Sequence, residues 1–234
     1  MFVAKVFKVK SYLRKESNYY AFQRPEMLSF VPTTVQRVLD VGCGSGMFGE
    51  ALKRRTPCRV DGVEILPAKA EEARLHLDSV WTGDFVDNLS LPVASYDCVV
   101  FNDVLEHMID PGAALAKARG LLTRQGCVVT SVPNVRHFPI VWKLAIHGRW
   151  DYADSGILDR THLRFFTRST LLELFIDAGY RIENIKGINR FAVNGPDENR
   201  LWRYQKILKL ISPRHVSDMA YLQFAVVAVP TEVK

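Results

Sequence analysis

Short apolar runs alternate with amphipathic segments along most of this chain. Apolar runs of strand length fall near 36–41, 58–64, 79–82, 96–102, 126–132, 180–188 and 220–229. Helical periodicity falls near 46–55, 67–77, 110–122 and 168–178. Strands that alternate with helices form a mostly parallel sheet. The pattern therefore predicts an α/β protein with a doubly wound sheet.

Several residues mark the ends of the predicted helices. Pro67 falls at a first helical position, and Asp110 with Pro111 opens the next helix. Thr167 or Ser169 could cap the helix that ends before Gly179. The last two strands lack a regular helical crossover of the earlier kind, so the end of the sheet differs from its beginning.

The strand near 36–41 runs directly into a glycine-rich turn. Gly42, Gly44 and Gly46 follow Asp40, so backbone N–H groups there can approach a ligand that a Cβ would keep away. A dinucleotide fingerprint of the G-x-G-x-x-G type would need its third glycine at position 47, which is Met47. The turn predicts a small-molecule cofactor site and disfavours a nicotinamide oxidoreductase.

Polar residues also end the strands that follow. Glu64 lies about twenty residues beyond the glycine turn, where such folds place the acid that binds ribose hydroxyls. Asp84 and Phe85 follow the third strand, and Asn102 with Asp103 follows the fourth. The carboxyl ends of parallel strands meet at one edge of the sheet, where open α/β proteins bind ligands. These side chains should therefore surround one cofactor.

The run 40–46 resembles the first motif of class I S-adenosylmethionine-dependent methyltransferases, and 82–85 resembles their third. The resemblance implies a seven-stranded, mostly parallel, Rossmann-like sheet with one antiparallel strand near the C-terminus. It implies S-adenosylmethionine as cofactor, with Glu64 on the ribose and Asp84 and Phe85 on the adenine. The expected cofactor-binding residues are Asp40, Gly42, Gly44, Gly46, Glu64, Ile65, Asp84, Phe85, Asn102, Asp103 and His107.

Two further resemblances concern the acceptor. The segments 133–137, 148–152 and 156–167 are similar to a methyltransferase subgroup of bacterial surface-polysaccharide and O-antigen biosynthesis, sometimes found beside glycosyltransferases. This similarity implies O-methylation of a sugar hydroxyl. The stretch 103–107 resembles ubiquinone-pathway O-methyltransferases, which keeps an aromatic, quinone-type acceptor as the alternative. A third hypothesis is an inert cofactor-binding scaffold that partners a glycosyltransferase.

We expect the long connection after the fifth strand to determine substrate specificity, because long connections in compact domains are usually functional. A hydroxyl acceptor benefits from a base, for which we expect His162 first, then His107 and His137, with Asp159 orienting His162 or binding a substrate hydroxyl. An aromatic segment before the first strand could form a lid. The expected substrate-binding residues are Tyr19, Tyr20, Arg24, Asn134, Arg136, Tyr152, Arg160 and Arg164.

We expect no metal ion and no disulfide. Glu106 and His107 with His137 and His162 could assemble an oxygen and nitrogen site, but no spacing in the sequence requires one. The four cysteines fall in or beside predicted strands without the short spacing of a zinc or redox motif, so we expect buried, reduced thiols.

The chain of 234 residues is long enough for one domain with a full core. We divide it into an N-terminal lid or helical segment (1–34), a cofactor-binding core (35–132), a substrate-recognition insertion (133–167) and a C-terminal part of the same sheet (168–234) with a basic amphipathic helix near 199–211. That helix could rest on a membrane surface, but packing on the sheet is favoured. No signal peptide or membrane span is visible, so we expect a cytoplasmic protein.

The net charge of +6 is compatible with an acidic partner. The basic residues are spread rather than clustered, and the end of the fourth strand, at Asn102 and Asp103, lacks the pattern of enzymes that methylate base nitrogens, so we do not expect nucleic acid. A sugar, a nucleotide-sugar or a lipid-linked glycan would account for the same charge.

Overall fold

The computed structural model describes residues 23–87, 89–190 and 217–231. Seven strands form one sheet: β1 (Arg37–Val41), β2 (Arg59–Glu64), β3 (Ser79–Thr82), β4 (Tyr96–Asn102), β5 (Leu122–Pro133), β6 (Tyr180–Arg190) and β7 (Tyr221–Pro230). Their order in the sheet is β3-β2-β1-β4-β5-β7-β6. The first five strands pair in parallel, and β7 pairs antiparallel with both β5 and β6. The predicted seven-stranded fold with one antiparallel strand is confirmed.

The described part of the chain contains six α-helices, of which the first precedes β1 and the others lie between strands. They are α1 (Pro25–Leu28), α2 (Met47–Arg55), α3 (Pro67–Ala73), α4 (Pro111–Leu121), α5 (Phe138–His147) and α6 (Arg168–Asp177). Short 3-10 helices span Leu105–His107 and Ser217–Ala220. Within the ranges given above, no helix is both long and apolar enough to cross a membrane.

The predicted helix starts are confirmed by the local geometry. Pro67 occupies the start of α3. Asp110 caps α4, because its carboxylate accepts a hydrogen bond from the backbone N–H of Ala113 at 2.8 Å. Thr167, rather than Ser169, caps α6 and forms a capping box with Thr170.

Successive residues of the central strands face opposite layers of the core. Val38 and Val100 pack in the cluster that contains residues of α1, α2 and α3. Leu39 and Phe101 pack in the other cluster, with residues of α4 and α6. Because side chains alternate along a strand, a strand that is buried on both faces must be apolar throughout. The continuous apolar runs therefore mark the middle of the sheet.

Several boundaries differ from the predicted ones. The helix α3 ends at Ala73 rather than near 77, and β5 begins at Leu122 rather than near 126. The helix α1 lies in the segment 1–34, which was expected to be a lid or helical. The sequence pattern missed α5, because almost all of its residues are apolar and they show little alternation with polar ones. The predicted basic helix near 199–211 and the first 22 residues lie outside the described part of the chain.

Candidate active site

A cavity of about 250 Å³ lies at the carboxyl ends of β1, β2, β3 and β4. This position follows from the topology, since the strand order reverses between β1 and β4 and leaves a crevice there. Its lining comprises residues 40–44, 63–66, 83–85 and 102–104 together with Arg24, Phe48, His107 and Met108. All the predicted cofactor-binding residues line this cavity except Gly46.

The glycine turn takes a backbone path that other residues rarely adopt. Gly42, Gly44 and Gly46 have φ values of 72°, 54° and 84°. Gly46 is the N-cap of α2 and faces the protein interior, where an added Cβ would lie 3.1 Å from the Cα of Ala73. The first two glycines therefore shape the cavity wall, whereas the third allows close helix packing.

Glu64 fastens the glycine turn to the end of β2. The Gly44 N–H donates to one carboxylate oxygen at 2.9 Å, and the Leu66 N–H donates to the other at 2.9 Å. Burial raises the pKa of Glu64, and the backbone N–H groups of Leu66, Gly44 and Ile65 oppose that rise. Each oxygen keeps a lone pair for a further donor, so the carboxylate can still bind a ligand hydroxyl.

Asp40 is the second buried carboxylate of the cavity. One of its oxygens has no hydrogen-bond partner among the described residues. Burial, and then the negative charge of Glu64, raises the pKa of Asp40 to about 8. The amide of Asn102, also on the wall, has neither its oxygen nor its nitrogen paired within the same residues. Such orphaned buried groups suit a ligand that brings both donors and acceptors.

Asp84 and Phe85 form the wall after β3. Asp84 accepts from the backbone N–H of Val86 at 3.1 Å, which fixes the loop. Phe85 is buried and packs edge-to-face on Phe101, with ring centroids 5.6 Å apart. This side of the cavity combines an apolar ring with an adjacent carboxylate.

Asp103 joins the ends of three strands, and it adopts a left-handed conformation with φ 54°. Its carboxylate accepts from Ser131 Oγ on β5 at 2.8 Å, from Gln223 Nε2 on β7 at 2.7 Å and from the guanidinium of Arg24. Arg24 also donates to Ser131 Oγ at 3.0 Å and pairs with Glu26 at 3.0 Å. The segment before β1 is thereby anchored over the cavity edge.

A buried cluster of Glu106, His107 and His162 lies beside the cavity, which His107 lines. The rings of the two histidines are 4.7 Å apart, and His162 Nε2 is 4.0 Å from a Glu106 carboxylate oxygen. The insertion is held here because the N–H groups of Leu163 and Arg164 donate to the Glu106 carbonyl at 2.8 and 3.0 Å. Two regions more than fifty residues apart in sequence therefore meet at one point.

Asp159 orients this cluster through Thr161. Its buried carboxylate accepts from the N–H of Thr161 at 2.8 Å and from its hydroxyl at 2.7 Å. The Thr161 carbonyl and hydroxyl in turn lie 3.1 and 3.2 Å from His107 Nδ1. These contacts support His107, whereas the sequence suggested support for His162.

Other predicted catalytic or substrate residues are engaged away from the cavity lining. Asn134 is buried and donates to the carbonyls of Asp218 and Tyr221, both at 2.9 Å. Its side-chain oxygen accepts from the Arg136 N–H at 3.0 Å, and the Arg136 guanidinium pairs with Asp218 at 3.1 Å. Burial lowers the pKa of His137 to about 4, so this imidazole is neutral at pH 7.

The remaining predicted substrate residues of the insertion face solvent. Arg160 pairs with the exposed Asp154 at 3.1 Å. Arg164 donates to the Ile109 carbonyl at 2.6 Å, and Tyr152 is 46% exposed. Tyr19 and Tyr20 lie outside the described residues. The sequence missed Ser131 and Gln223, which hold Asp103, because no local signal links them to it.

Comparisons with known proteins agree with this architecture. A family model described as a methyltransferase domain matches residues 12–185. A ubiquinone biosynthesis O-methyltransferase from Psychrobacter arcticus is 31% identical over 183 residues, which cover 74% of this chain and 68% of that protein. The chain therefore belongs to the class I S-adenosylmethionine-dependent methyltransferases, and the predicted enzyme class and cofactor are confirmed.

Solved structures share the fold. A SAM-dependent methyltransferase from Archaeoglobus fulgidus has a TM-score of 0.65 at 19% identity, covering 95% of this chain and 98% of that one. A chain from a complex between the Haloferax volcanii Trm112 methyltransferase activator and the putative methyltransferase has a TM-score of 0.64 at 19% identity, covering 92% of each chain. These relatives give no support to the polysaccharide subgroup, and the glycosyltransferase partner stays a prediction.

Proposed function

We propose that this protein methylates a hydroxyl oxygen of an aromatic, quinone-type small molecule. The observation that carries the proposal is the buried cluster of Glu106, His107 and His162 beside the cofactor cavity. The name of the Psychrobacter relative also favours a quinone-type acceptor over the sugar that the insertion suggests. The proposal thus adopts the alternative from the sequence.

The cavity residues fit S-adenosylmethionine. The unpaired oxygen of Asp40 suits the ammonium group at the methionine end of the cofactor. The unpaired amide of Asn102 can accept from that ammonium and donate to the neighbouring carboxylate. Glu64 retains lone pairs for the ribose hydroxyls. Asp84 can accept from the adenine amino group, with Phe85 against the ring. These assignments agree with the family motifs.

The side of the cavity next to His107 then belongs to the acceptor. Met108 and Val104 supply apolar surface there, and His107 leads to Glu106 and His162. A hydroxyl that enters meets nitrogen and oxygen atoms that can hold or take its proton. We infer that the insertion (133–167) serves acceptor recognition through His162, and that the segment before β1 serves through Arg24.

Alignment supplies much of the acceleration in such a reaction. S-adenosylmethionine, when bound, provides a methyl group already activated on a sulfonium. The chain needs to hold the acceptor oxygen in line with it and assist removal of the proton. A phenolic hydroxyl, with a pKa of about 10 in tyrosine, is a stronger acid than a sugar hydroxyl and needs less assistance. A phenolic acceptor therefore needs no stronger base than the cluster of Glu106, His107 and His162 provides.

The test compares acceptors on the purified full-length protein. Transfer of labelled methyl groups from S-adenosylmethionine to a series of catechols would be measured beside a series of monosaccharides and nucleotide-sugars. We expect methylated phenols, and a loss of about 100-fold in kcat with His162→Gln. The exposed His147 gives the matched control, since His147→Gln should keep the wild-type rate.

Each other result would overturn part of the proposal. Methylation of sugars alone would show that the acceptor is a sugar, as the insertion predicted. Binding of S-adenosylhomocysteine without turnover on either series would favour the inert scaffold. Equal kcat for wild type and His162→Gln would remove the cluster from the reaction.

A further inference from the structure

Four non-glycine residues in the described part of the chain have a positive φ, and three of them belong to one hydrogen-bonded network. Arg24, Asp103 and Asn189 have φ values of 49°, 54° and 53°. Residues other than glycine rarely adopt this left-handed conformation, although asparagine and aspartate do so more readily than the rest. Unusual backbone conformations gather at functional sites, where the surrounding contacts hold them. The contacts among these three residues are therefore candidates for a functional role.

Gln223, near the start of β7, joins the three residues. Its Nε2 donates to Asp103 Oδ2 at 2.7 Å, and its Oε1 accepts from Asn189 Nδ2 at 2.6 Å and from the Arg24 guanidinium at 3.5 Å. A side-chain amide has one donating and one accepting end, and its neighbours decide which way it faces. Rotating this amide by half a turn would direct its oxygen at a carboxylate and its nitrogen at two donors. Asn189 and Arg24 therefore fix the end that Asp103 meets.

The Asp103 carboxylate is held from two strands of the sheet as well as by Arg24. Ser131 Oγ, on β5, donates to Oδ1 at 2.8 Å, while Gln223 Nε2 and the Arg24 guanidinium donate to Oδ2. A fully satisfied polar network of this kind is rigid. Asp103 and Arg24 line the cavity, whereas Gln223 and Asn189 lie outside its lining. Gln223 can therefore act on the cavity through the two lining residues that it contacts.

We propose that Gln223 and Asn189 are positioning residues for the cofactor site. Gln223 holds the Asp103 carboxylate and the Arg24 guanidinium at the cavity edge, and Asn189 sets the direction of the Gln223 amide. The cavity lies at the ends of β1 to β4, whereas these two residues belong to β7 and β6, beyond β5 in the sheet. This role does not depend on the acceptor, because Asp103 and Arg24 line the cofactor cavity itself.

A double-mutant cycle tests whether Gln223 acts through Asp103. Asp103→Gly removes the carboxylate and leaves a residue that adopts the left-handed backbone readily, so the variant avoids added strain. Calorimetry with S-adenosylhomocysteine on the full-length protein should give a Kd about 10-fold higher for Gln223→Ala than for wild type. In the Asp103→Gly background, the same substitution should change the Kd less than about twofold. Lys186→Ala, at an exposed position of β6, is the control and should bind as wild type.

Two substitutions at Asn189 test its role in directing the amide. Asn189→Gly removes the side chain and tolerates the left-handed backbone, so Gln223 loses one partner but keeps its orientation toward Asp103. Asn189→Asp replaces the donor with a carboxylate, which attracts the Gln223 nitrogen and turns its oxygen toward Asp103. We expect the S-adenosylhomocysteine Kd to rise less than about threefold with Asn189→Gly and about 10-fold with Asn189→Asp. Melting curves establish that both variants are folded.

The same fold-change for Gln223→Ala in both backgrounds would show that Gln223 stabilises the sheet independently of Asp103, and it would overturn the proposal. An unchanged Kd in Gln223→Ala would do so too, as would a loss with Asn189→Asp no larger than the loss with Asn189→Gly. If Asp103→Gly abolishes binding or folding, the two Asn189 variants decide the question. Failure of the wild-type protein to bind S-adenosylhomocysteine would contradict the cofactor site itself.

Discussion

The two ends of the cavity are built in different ways. At the cofactor end, the parallel strands β1 to β4 stop at the same edge, and each contributes residues at or just after its carboxyl end. At the acceptor end, His162 arrives on a segment that leaves the sheet after β5 and is held to Glu106 by backbone hydrogen bonds. The first end is fixed by sheet geometry, and the second by particular contacts between loops.

This difference explains why arginines of the insertion are poor markers of the site. The position of a strand end is fixed by its neighbours in the sheet, so a polar residue there must face the crevice. A side chain on a loop can instead pair with its own surroundings, as Arg160 and Arg136 do. Some polar residues of the insertion therefore stabilise the insertion itself, and only the others are available to bind the acceptor.

The strongest test of the cofactor end is Glu64→Ala. The variant removes a carboxylate that accepts from Gly44 and Leu66, together with its proposed bonds to the ribose. Charge-assisted hydrogen bonds contribute about 1.5–3 kcal/mol each, so the S-adenosylhomocysteine Kd should rise more than about 100-fold by calorimetry. Glu71→Ala, on an exposed helix surface, is the control. A Kd within threefold of wild type would disprove the assignment.

At the base of the insertion, Asn134→Ala should affect stability rather than binding. Its amide satisfies the buried carbonyls of Asp218 and Tyr221. Leaving these groups unpaired should lower the free energy of unfolding by about 2–4 kcal/mol in urea titrations, with the S-adenosylhomocysteine Kd unchanged. Gln125→Ala, at an exposed position, should have no effect. An unchanged stability together with a raised acceptor KM would restore Asn134 as a substrate residue.

Asp40→Asn should remove a pH dependence. Asp40 has a pKa of about 8 in the folded protein against an ordinary value of 3.8. Between these values the folded state binds a proton that the unfolded chain does not, so this group makes stability fall as pH rises from about 4 to 8. Its ionised form should also attract the ligand ammonium, so the S-adenosylhomocysteine Kd should fall about 10-fold from pH 6.5 to 8.5.

In Asp40→Asn, both trends should disappear, and the melting temperature at pH 8.5 should exceed that of wild type. Melting curves and calorimetry across this pH range provide the measurements. Asp154→Asn, at an exposed aspartate, should behave as wild type. A wild-type Kd that is independent of pH would contradict the role of Asp40.

The smallest effect is expected from Arg160→Ala. This side chain is exposed and pairs with Asp154 outside the cavity lining, so kcat/KM should change less than about twofold. Arg24→Ala provides the contrast, because Arg24 lines the cavity and pairs with Asp103 there, and kcat/KM should fall about 10-fold or more. Similar losses in both variants would show that the insertion meets the acceptor with its exposed face as well.

Sequence patterns predicted the sheet well because apolar strands and glycine turns are local signals. The path of the insertion could not be predicted, since helix α5 and the attachment of residues 163–164 to Glu106 depend on tertiary contacts. Gln223 shows the same limit, because it meets Asp103 across 120 positions of sequence. The sequence suggested that Glu106, His107, His137 and His162 could come together. The structure brings Glu106, His107 and His162 into one cluster that does not include His137, and it engages Asn134 elsewhere.

The two ends of the insertion lie side by side. Asn134 forms a parallel bridge with Phe166, and the Val135 N–H donates to the Phe166 carbonyl at 3.0 Å. A segment that leaves and returns at one point can change in length or content without moving a strand, because the entropy of closing a loop grows slowly with its length. The insertion can therefore be exchanged as a unit during evolution, and laboratory grafts between related enzymes can be joined where Asn134 and Phe166 pair.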